Sequence, residues 1–298
     1  MKILVTGSNG FIGHYVCKYM MQQGHYVIGM GRSPKSKSET DSYVCCDMGT
    51  DQLLHICEDN NLFNIDAMIH LAADMRKDPH TIEVVTTNCG GTERLLQLCR
   101  TQGISIFVQL SSLPVIGRPK EHPITEKHPL DPCTAYHVTK VAEEMLAQFA
   151  TKAYGIRTVS FRISAPVGIG VNPKTIFPTF VKCAVTGNDL ILLGRGTREQ
   201  TYIHAEDIAR AIELAIYSNA QGVYNLSSNE RLSNLVLAKK CVEITSSSSK
   251  IIFSGQEDAA DSDRWNVSLK KLQADTGFVP QISIEEAIKE YADFLRRK

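Results

Sequence analysis

The chain has 298 residues with 32 basic and 32 acidic side chains, so its formal net charge is zero. A neutral chain lacks the concentrated positive field that general nucleic-acid or anionic-membrane binding needs, and no apolar run approaches the roughly 18 residues of a membrane span. Hydrophobic residues at 43% and charged residues at 21% suit one large or two small globular domains of about 150 residues each.

Lys2–Thr6 is a short apolar run ending at Gly7; it reads as a strand and is too short for a signal-peptide core. Helical spacing follows over Ile12–Gln23, then a strand over His25–Met30 and a polar, flexible-looking segment over Arg32–Ser42. Strands are expected at Ser42–Cys46, Ala67–Leu71 and Ile106–Leu110, and helices at Asp51–Asn60 and Val84–Gln102. Pro132–Tyr154 reads as a long helix, Arg157–Ile163 as a strand, Glu206–Tyr217 as a helix and Gly222–Leu226 as a strand. Strand and helix alternating at this period predict right-handed βαβ units on a parallel sheet. After about residue 166 the rhythm breaks at Pro166, Pro173, Pro178, Gly194-Arg195-Gly196 and Thr245–Ser249, which predicts loops and short elements. The expected fold class is α/β: a Rossmann-like, doubly wound parallel sheet with a smaller C-terminal substrate lobe. Residues 1–167 plus 201–226 form the dinucleotide-binding part, and 168–200 plus 227–298 the lobe. Nine cysteines, at 17, 45, 46, 57, 89, 99, 133, 183 and 241, make no C-x-x-C pair. They read as small buried hydrophobes in a reducing, cytoplasmic compartment, with no disulfide framework and no metal site.

Gly7-Ser8-Asn9-Gly10-Phe11-Ile12-Gly13 joins the first strand to the first helix. Gly7 suits a tight turn, Gly10 a close approach of backbone to a pyrophosphate, and Gly13 close helix–strand packing. The helix N-terminus then presents free N–H groups to phosphate. Gly7, Asn9, Gly10, Phe11, Ile12 and Gly13 are therefore candidate cofactor contacts. The second strand ends Gly29-Met30-Gly31-Arg32-Ser33, without the acid that would bind a ribose 2′-hydroxyl. Arg32, with Lys35 and Lys37 nearby, points to NADP(H); the alternatives are NAD(H) and a merely solvated basic loop.

Tyr136 and Lys140 stand four residues apart, on one face of the predicted helix. A free tyrosine titrates near pH 10, and a neighbouring ammonium is expected to pull it toward the working range. Ser112 stands at the end of a predicted central strand, where such sheets bind ligands. It can hydrogen-bond a substrate oxygen beside Tyr136, although alone it would read as a turn or capping serine. His14, His55, His70 and His204 read as packed or capping residues, and Asp207 as an acid favouring the positive end of its helix.

These motifs together resemble the extended short-chain dehydrogenases/reductases, specifically the NAD-dependent epimerase/dehydratase family that modifies nucleotide sugars. The resemblance covers nearly the whole chain: Gly7–Gly13, Asp47-Met48, His70-Leu71-Ala72-Ala73, Asn88 in Asn88-Cys89-Gly90-Gly91-Thr92, Ser111-Ser112 with Gly117, Tyr136/Lys140, Arg162 near Gly168, and Tyr202–Asp207. It implies that Asp47 and Met48 meet the adenine, that Leu71, Ala72 and Ala73 flank the dinucleotide, and that Asn88 lies near the active site. It further implies a catalytic trio in which Tyr136 exchanges a proton with the substrate oxygen, Ser112 polarises the carbonyl, and Lys140 binds the nicotinamide ribose and tunes Tyr136. A homodimer built on the Val84–Gln102 and Tyr136–Tyr154 helices is expected by the same analogy.

Departures from the family pattern narrow the expectation. Leu113-Pro114 stand where family dehydratases carry an Asp-Glu pair, which argues against 4,6-dehydration. Ile116 replaces a frequent Tyr, Ala165 an Asn that holds the substrate diphosphate, and Gln200 an Arg. Arg195, Arg198 and Arg264 are candidates to supply the missing phosphate contacts, or are simply surface arginines. The expected activity is NADP(H)-dependent reduction of a keto group on a small-molecule substrate, a 4-keto nucleotide sugar. The same trio serves a nucleotide-sugar 4-epimerase that holds NAD through its cycle, or a reductase of a non-sugar ketone. The reading from a different class is a catalytically silent NADP(H)-sensing module.

Overall fold

The computed structural model describes residues 1–50, 53, 55, 62–75 and 82–297. In chain order the first elements are β1 (Lys2–Thr6), α1 (Phe11–Gln22), β2 (Tyr26–Gly31), β3 (Ser42–Cys45) and β4 (Ala67–His70). Next come α2 (Ile82–Val85), a π turn (Thr86–Gly90), α3 (Gly91–Gln102), β5 (Ile106–Ser112), a 3-10 turn (Leu113–Ile116), α4 (Ala135–Tyr154), β6 (Arg157–Ile163) and β7 (Ala165–Val167). The remainder comprises α5 (Ile176–Thr186), β8 (Leu190–Leu192), β9 (Glu199–His204), α6 (Ala205–Tyr217), β10 (Gly222–Leu226), β11 (Arg231–Ser233), α7 (Asn234–Thr245), β12 (Ile251–Phe253), α8 (Lys270–Thr276) and α9 (Ile284–Arg296). The helix expected over Asp51–Asn60 lies outside the described residues, apart from Leu53 and His55, and so does Cys57.

Seven strands lie in the order β10-β6-β5-β4-β1-β2-β3, every neighbouring pair parallel. The winding reverses at β1, between β2 and β4, and a crevice opens at the carboxyl ends of strands at such a switch point. The inner strands β1, β4, β5 and β6 are buried on both faces, so they read as continuous apolar runs rather than alternating ones, while the edge strand β3 is only partly covered. One face packs Val16, Cys17 and Met20 of α1 with Ile208 and Ile212 of α6. The other packs Leu95, Leu96 and Cys99 of α3 with Ala150 of α4. A separate cluster joins Phe177, Phe180 and Val181 of α5 to Leu237 and Ala238 of α7 and Ile288 and Tyr291 of α9. It underlies the three-stranded sheet β11-β9-β7 and the parallel pair β12-β8.

Local chemistry moves several boundaries. The helix expected from Pro132 begins at Ala135, because the Thr134 hydroxyl caps it by accepting from the His137 N–H at 3.1 Å. The single helix expected over Val84–Gln102 is interrupted by the π turn, which carries Asn88 into the interior. The second lobe holds full helices rather than the expected short pieces. Pro178 lies in the first turn of α5, where a missing N–H costs little, and Ser283 with Glu286 forms a capping box on α9. The Arg32–Ser42 segment, expected to be flexible, is tethered. Asn9 Oδ1 accepts from the Lys37 N–H at 2.7 Å, its Nδ2 donates to the Lys35 carbonyl at 3.2 Å, and Ser38 Oγ donates to the Ser8 carbonyl at 2.6 Å. Of the described cysteines, Cys17, Cys46, Cys99 and Cys241 are buried as expected, whereas Cys45 and Cys133 are exposed.

Candidate active site

A cleft of about 1440 Å³ runs along the carboxyl ends of β1, β2, β4, β5 and β6 and continues between the sheet and the second lobe. That volume exceeds the roughly 300–1,000 Å³ of a single drug-sized site and suits two ligands side by side.

The glycine turn forms one end. Gly7 has φ +69°, and a Cβ there would stand 2.6 Å from the Ala72 nitrogen, so only glycine fits. A Cβ on Gly13 would run into the carbonyls of Gly7 and Ser8, which lets α1 sit tight against β1. Gly10 is the N-cap of α1 and brings no side-chain cap, leaving the first-turn N–H groups for an anion. This cradle fits the pyrophosphate of a dinucleotide. Gly7, Asn9, Gly10, Phe11, Ile12, Gly13, Arg32, Asp47, Met48, Leu71, Ala72 and Ala73 all line the cleft. Arg32 is exposed at its mouth, and its guanidinium makes no hydrogen bond or ion pair among the described residues. The Asp47 Oδ1 accepts from the Gly49 N–H at 2.9 Å, which closes the turn after β3.

Ser112, Tyr136 and Lys140 line the middle of the same cleft. Ser112 is the last residue of β5, which runs two residues beyond the expected Leu110, while Tyr136 and Lys140 occupy the first turns of α4. The Lys140 Nζ lies 5.7 Å from the centre of the Tyr136 ring. It also binds Glu143 Oε2 at 2.8 Å, with both side chains buried. Burial alone would lower the Lys140 ammonium, but Glu143 overrides this and holds it above its ordinary value. Burial pushes the Tyr136 phenol up, and Lys140 only partly opposes that. The expectation that Lys140 brings Tyr136 down to the working range is therefore corrected: desolvation dominates, and Glu143 takes up the ammonium's charge.

A second buried pair fixes the catalytic helix to the sheet. Arg162 on β6 reaches Glu144 on α4 through Nε at 2.9 Å and a terminal nitrogen at 2.7 Å. Ser111 Oγ, beside Ser112, donates to the same carboxylate at 2.6 Å. Glu143 and Glu144 were not singled out in the sequence. Their offsets of three and four from Lys140, on a helix face that should be apolar, were the available signal.

The candidates separate at three positions. Asn88 is fully buried and does not line the cleft; it accepts from the Asp74 N–H at 2.7 Å and donates to Thr139 Oγ1 at 2.9 Å. It holds a cleft-lining loop and α4 from behind. Arg195 is largely exposed and faces Asp261, and Arg264 donates to the carbonyls of Thr197, Asp261 and Asp263, so neither lines the cleft. Arg198 does line it, and its Nε is buried without a hydrogen-bond partner. Gln200 and Ala165 also line it, with Gln200 Nε2 bound to Asn234 Oδ1 at 3.2 Å. Lys174, Asp74 and the lone tryptophan, Trp265, complete the wall and were not anticipated.

The histidines and Asp207 have structural partners. His204 caps α6 and bonds Glu290 at 2.9 Å. His70 lies between Thr6 and Thr92 at 2.8 and 3.1 Å, and burial, with Lys140 adding to it, holds its imidazole down at about 3. His14 bonds the carbonyls of Gly10 and Lys37, while His55 is exposed. Asp207 does more than favour its helix: it accepts from the Gln281 and Ile282 N–H groups and pins the segment leading to α9.

Comparison with known proteins bears on the fold and the family. The profile of the NAD dependent epimerase/dehydratase family matches residues 3–227. The chain is 26% identical over 309 residues to the low-salt glycan biosynthesis protein Agl12 of Haloferax volcanii, covering 99% of this chain and 98% of that protein. It is 24% identical over 312 residues to a dTDP-glucose 4,6-dehydratase of Streptomyces niveus, covering 99% and 93%. Among solved structures, the UDP-glucose 4-epimerase of Thermotoga maritima with UDP-glucose superposes with a TM-score of 0.89 at 22% identity, covering 100% of this chain and 99% of that one. MoeE5 in complex with UDP-glucuronic acid and NAD gives 0.86 at 24%, covering 100% and 99%. With the glycine turn and the Ser112, Tyr136 and Lys140 side chains on one cleft, and a profile matching most of its length, this chain belongs to the NAD dependent epimerase/dehydratase family of enzymes.

Proposed function

We propose that the protein reduces the keto group of a nucleotide sugar, a 4-keto sugar, with NADP(H) as the exchanging cofactor. The observation that carries this reading is that Ser112, Tyr136 and Lys140 face one cleft with the uncapped glycine turn. In this reading residues 1–167 with 201–226 bind the dinucleotide and 168–200 with 227–298 hold the sugar nucleotide. The turn at Gly7–Gly13 holds the pyrophosphate, Asp47 and Met48 the adenine end, Leu71–Ala73 the flank, and Lys140 the nicotinamide ribose. When bound there, a reduced nicotinamide would supply the hydride for the carbonyl carbon. Tyr136 gives its hydroxyl proton to the carbonyl oxygen, and Ser112 donates a hydrogen bond to that oxygen as charge builds. A phenol held protonated by burial suits the donor role.

Two departures from the family pattern support this reading over dehydration and over a neutral substrate. Leu113 and Pro114 line the cleft directly after Ser112 and carry no ionisable group for removing water from a sugar. Arg198, with its buried unpartnered Nε, and Lys174 offer cations for the substrate's phosphates in place of the replaced Arg and Asn. This favours an anionic substrate over a neutral ketone. The eight described cysteines are all free thiols, as a reducing cytoplasm would leave them.

Arg32 and the absence of an acid at the end of β2 favour a 2′-phosphate. Freshly purified protein, denatured and assayed for released nucleotide, is expected to yield little. The empty site is expected to take NADPH over NADH, and Arg32→Ala to erode that preference about tenfold through the lost charge-assisted bond. Stoichiometric NAD in the released fraction would instead mark a 4-epimerase that keeps its cofactor.

A homodimer fits the surface of α4. Val138, Met145 and Phe149 are exposed at spacings that share one helical face, and Ile82 and Val85 of α2 are exposed as well. Sedimentation of a Met145→Glu, Phe149→Glu variant is expected to show a monomer where the parent sediments as a dimer; identical behaviour of the two proteins would remove this interface.

A further inference from the structure

Glu143 carries a charge that the reading above has not used. Its side chain is 1% exposed and it does not line the cleft, whereas Lys140, one helical turn earlier, does. One carboxylate oxygen binds the Lys140 ammonium at 2.8 Å, and the other is buried with no hydrogen-bond partner. A buried ionised carboxylate left half unsatisfied costs stability unless it serves a purpose, since an apolar residue would fill the same space without that penalty. The groups facing this pair come from several elements. Tyr136 and Glu144 lie on α4 itself, Cys89 lies on the π turn, and neutral His70 on β4 faces Lys140. Gln109 on β5 donates to the Glu143 backbone carbonyl at 3.0 Å, and its own side-chain oxygen is likewise buried without a partner. Among the described residues Lys140 is the only cation in this set, so its field acts on Glu143 and Tyr136 together.

We propose that Glu143 is a positioning residue for proton transfer: its carboxylate anchors the Lys140 ammonium one turn below Tyr136 and competes with the Tyr136 oxygen for that single positive charge. The proposal rests on Tyr136 being the group that exchanges the proton. Two anions competing for one ammonium raise the proton affinity of the weaker acid, and Tyr136 is the weaker. With Glu143 neutral, the ammonium is compensated only by ionised Tyr136, and the Tyr136–Lys140 pair releases its first proton at lower pH. The alcohol-oxidising direction, where a phenolate must accept the proton, would then gain relative to the parent.

The test is an NMR titration of ligand-free protein following the Tyr136 ring and the Lys140 side chain, each assigned by its loss in Tyr136→Phe and Lys140→Met. Glu143→Gln keeps the shape and removes the charge, and is expected to move the pair's first deprotonation down by about one pH unit, a tenfold change at fixed pH. Glu143→Asp, which keeps the charge, is expected to restore most of the parent behaviour. In turnover, the acid limb of alcohol oxidation should move down with the titration in Glu143→Gln. Unchanged titration of both groups in Glu143→Gln would overturn the proposal, whatever the activity. A Tyr136→Phe enzyme that still turns over would instead overturn the reading on which it rests, leaving the titration result intact.

Discussion

Tyr136→Phe is expected to cut turnover by about 10²–10⁴-fold, the usual contribution of a positioned general acid, while nucleotide binding survives. The substitution removes only the hydroxyl. The ring stays on the first turn of α4, 5.7 Å from the Lys140 Nζ, and Lys140 keeps its bond to Glu143. The glycine turn, Arg32 and the Leu71–Ala73 flank lie on other elements and are untouched. Steady-state rates measure the first quantity. Quenching of Trp265, the single tryptophan and itself in the cleft wall, measures nucleotide affinity. Parent-like turnover would remove Tyr136 as the acid. Parallel loss of binding would show that the hydroxyl holds the cofactor instead, and the two outcomes lead to different mechanisms.

Glu144→Gln is expected to lower stability by about 3–5 kcal/mol, because it leaves the Arg162 guanidinium charged and unpaired in the interior. The pair is bidentate, at 2.9 and 2.7 Å, and both side chains are 5% exposed or less. Among the described residues the Arg162 guanidinium otherwise donates to the Glu126 carbonyl, at 3.2 Å, and the amide oxygen introduced by Glu144→Gln would accept without supplying the charge. The double variant Glu144→Leu, Arg162→Met is expected to recover most of the loss, since apolar replacement of a whole buried pair is near neutral. Urea midpoints of Glu144→Leu, Arg162→Met and their double close the cycle; additive losses would mean the pair is not coupled. Activity need not follow stability here. Glu144 ties α4 to β6 and, through Ser111, to the strand end that carries Ser112, so a stable double variant with a poor kcat would locate its role in aligning Ser112 with Tyr136.

The sequence by itself determined the order of βαβ units, the phosphate turn and the positions of Ser112, Tyr136 and Lys140. These depend on contacts close in the chain: glycine sterics within one turn, the period of apolar residues, and the four-residue spacing along a helix. Where a residue is used locally in a way spacing does not encode, the structure adds what the spacing left out. Asn88, expected near the active site, is turned inward by the π turn and acts from behind the cleft through Asp74 and Thr139. Arg32–Ser42 looked loose, but Asn9 holds it across the turn. Only the tertiary structure decided which arginines are free. Arg195 points away from the cleft toward Asp261 and Arg264 donates to the carbonyls of Thr197, Asp261 and Asp263, whereas Arg198, three residues from Arg195, lines the cleft with its Nε buried and without a hydrogen-bond partner. It alone decided that burial pushes the Tyr136 phenol up, because burial and the Lys140–Glu143 pair are properties of packed elements. Charge and desolvation act through space, and side-chain spacing along the chain carries no record of which groups the fold will bury together.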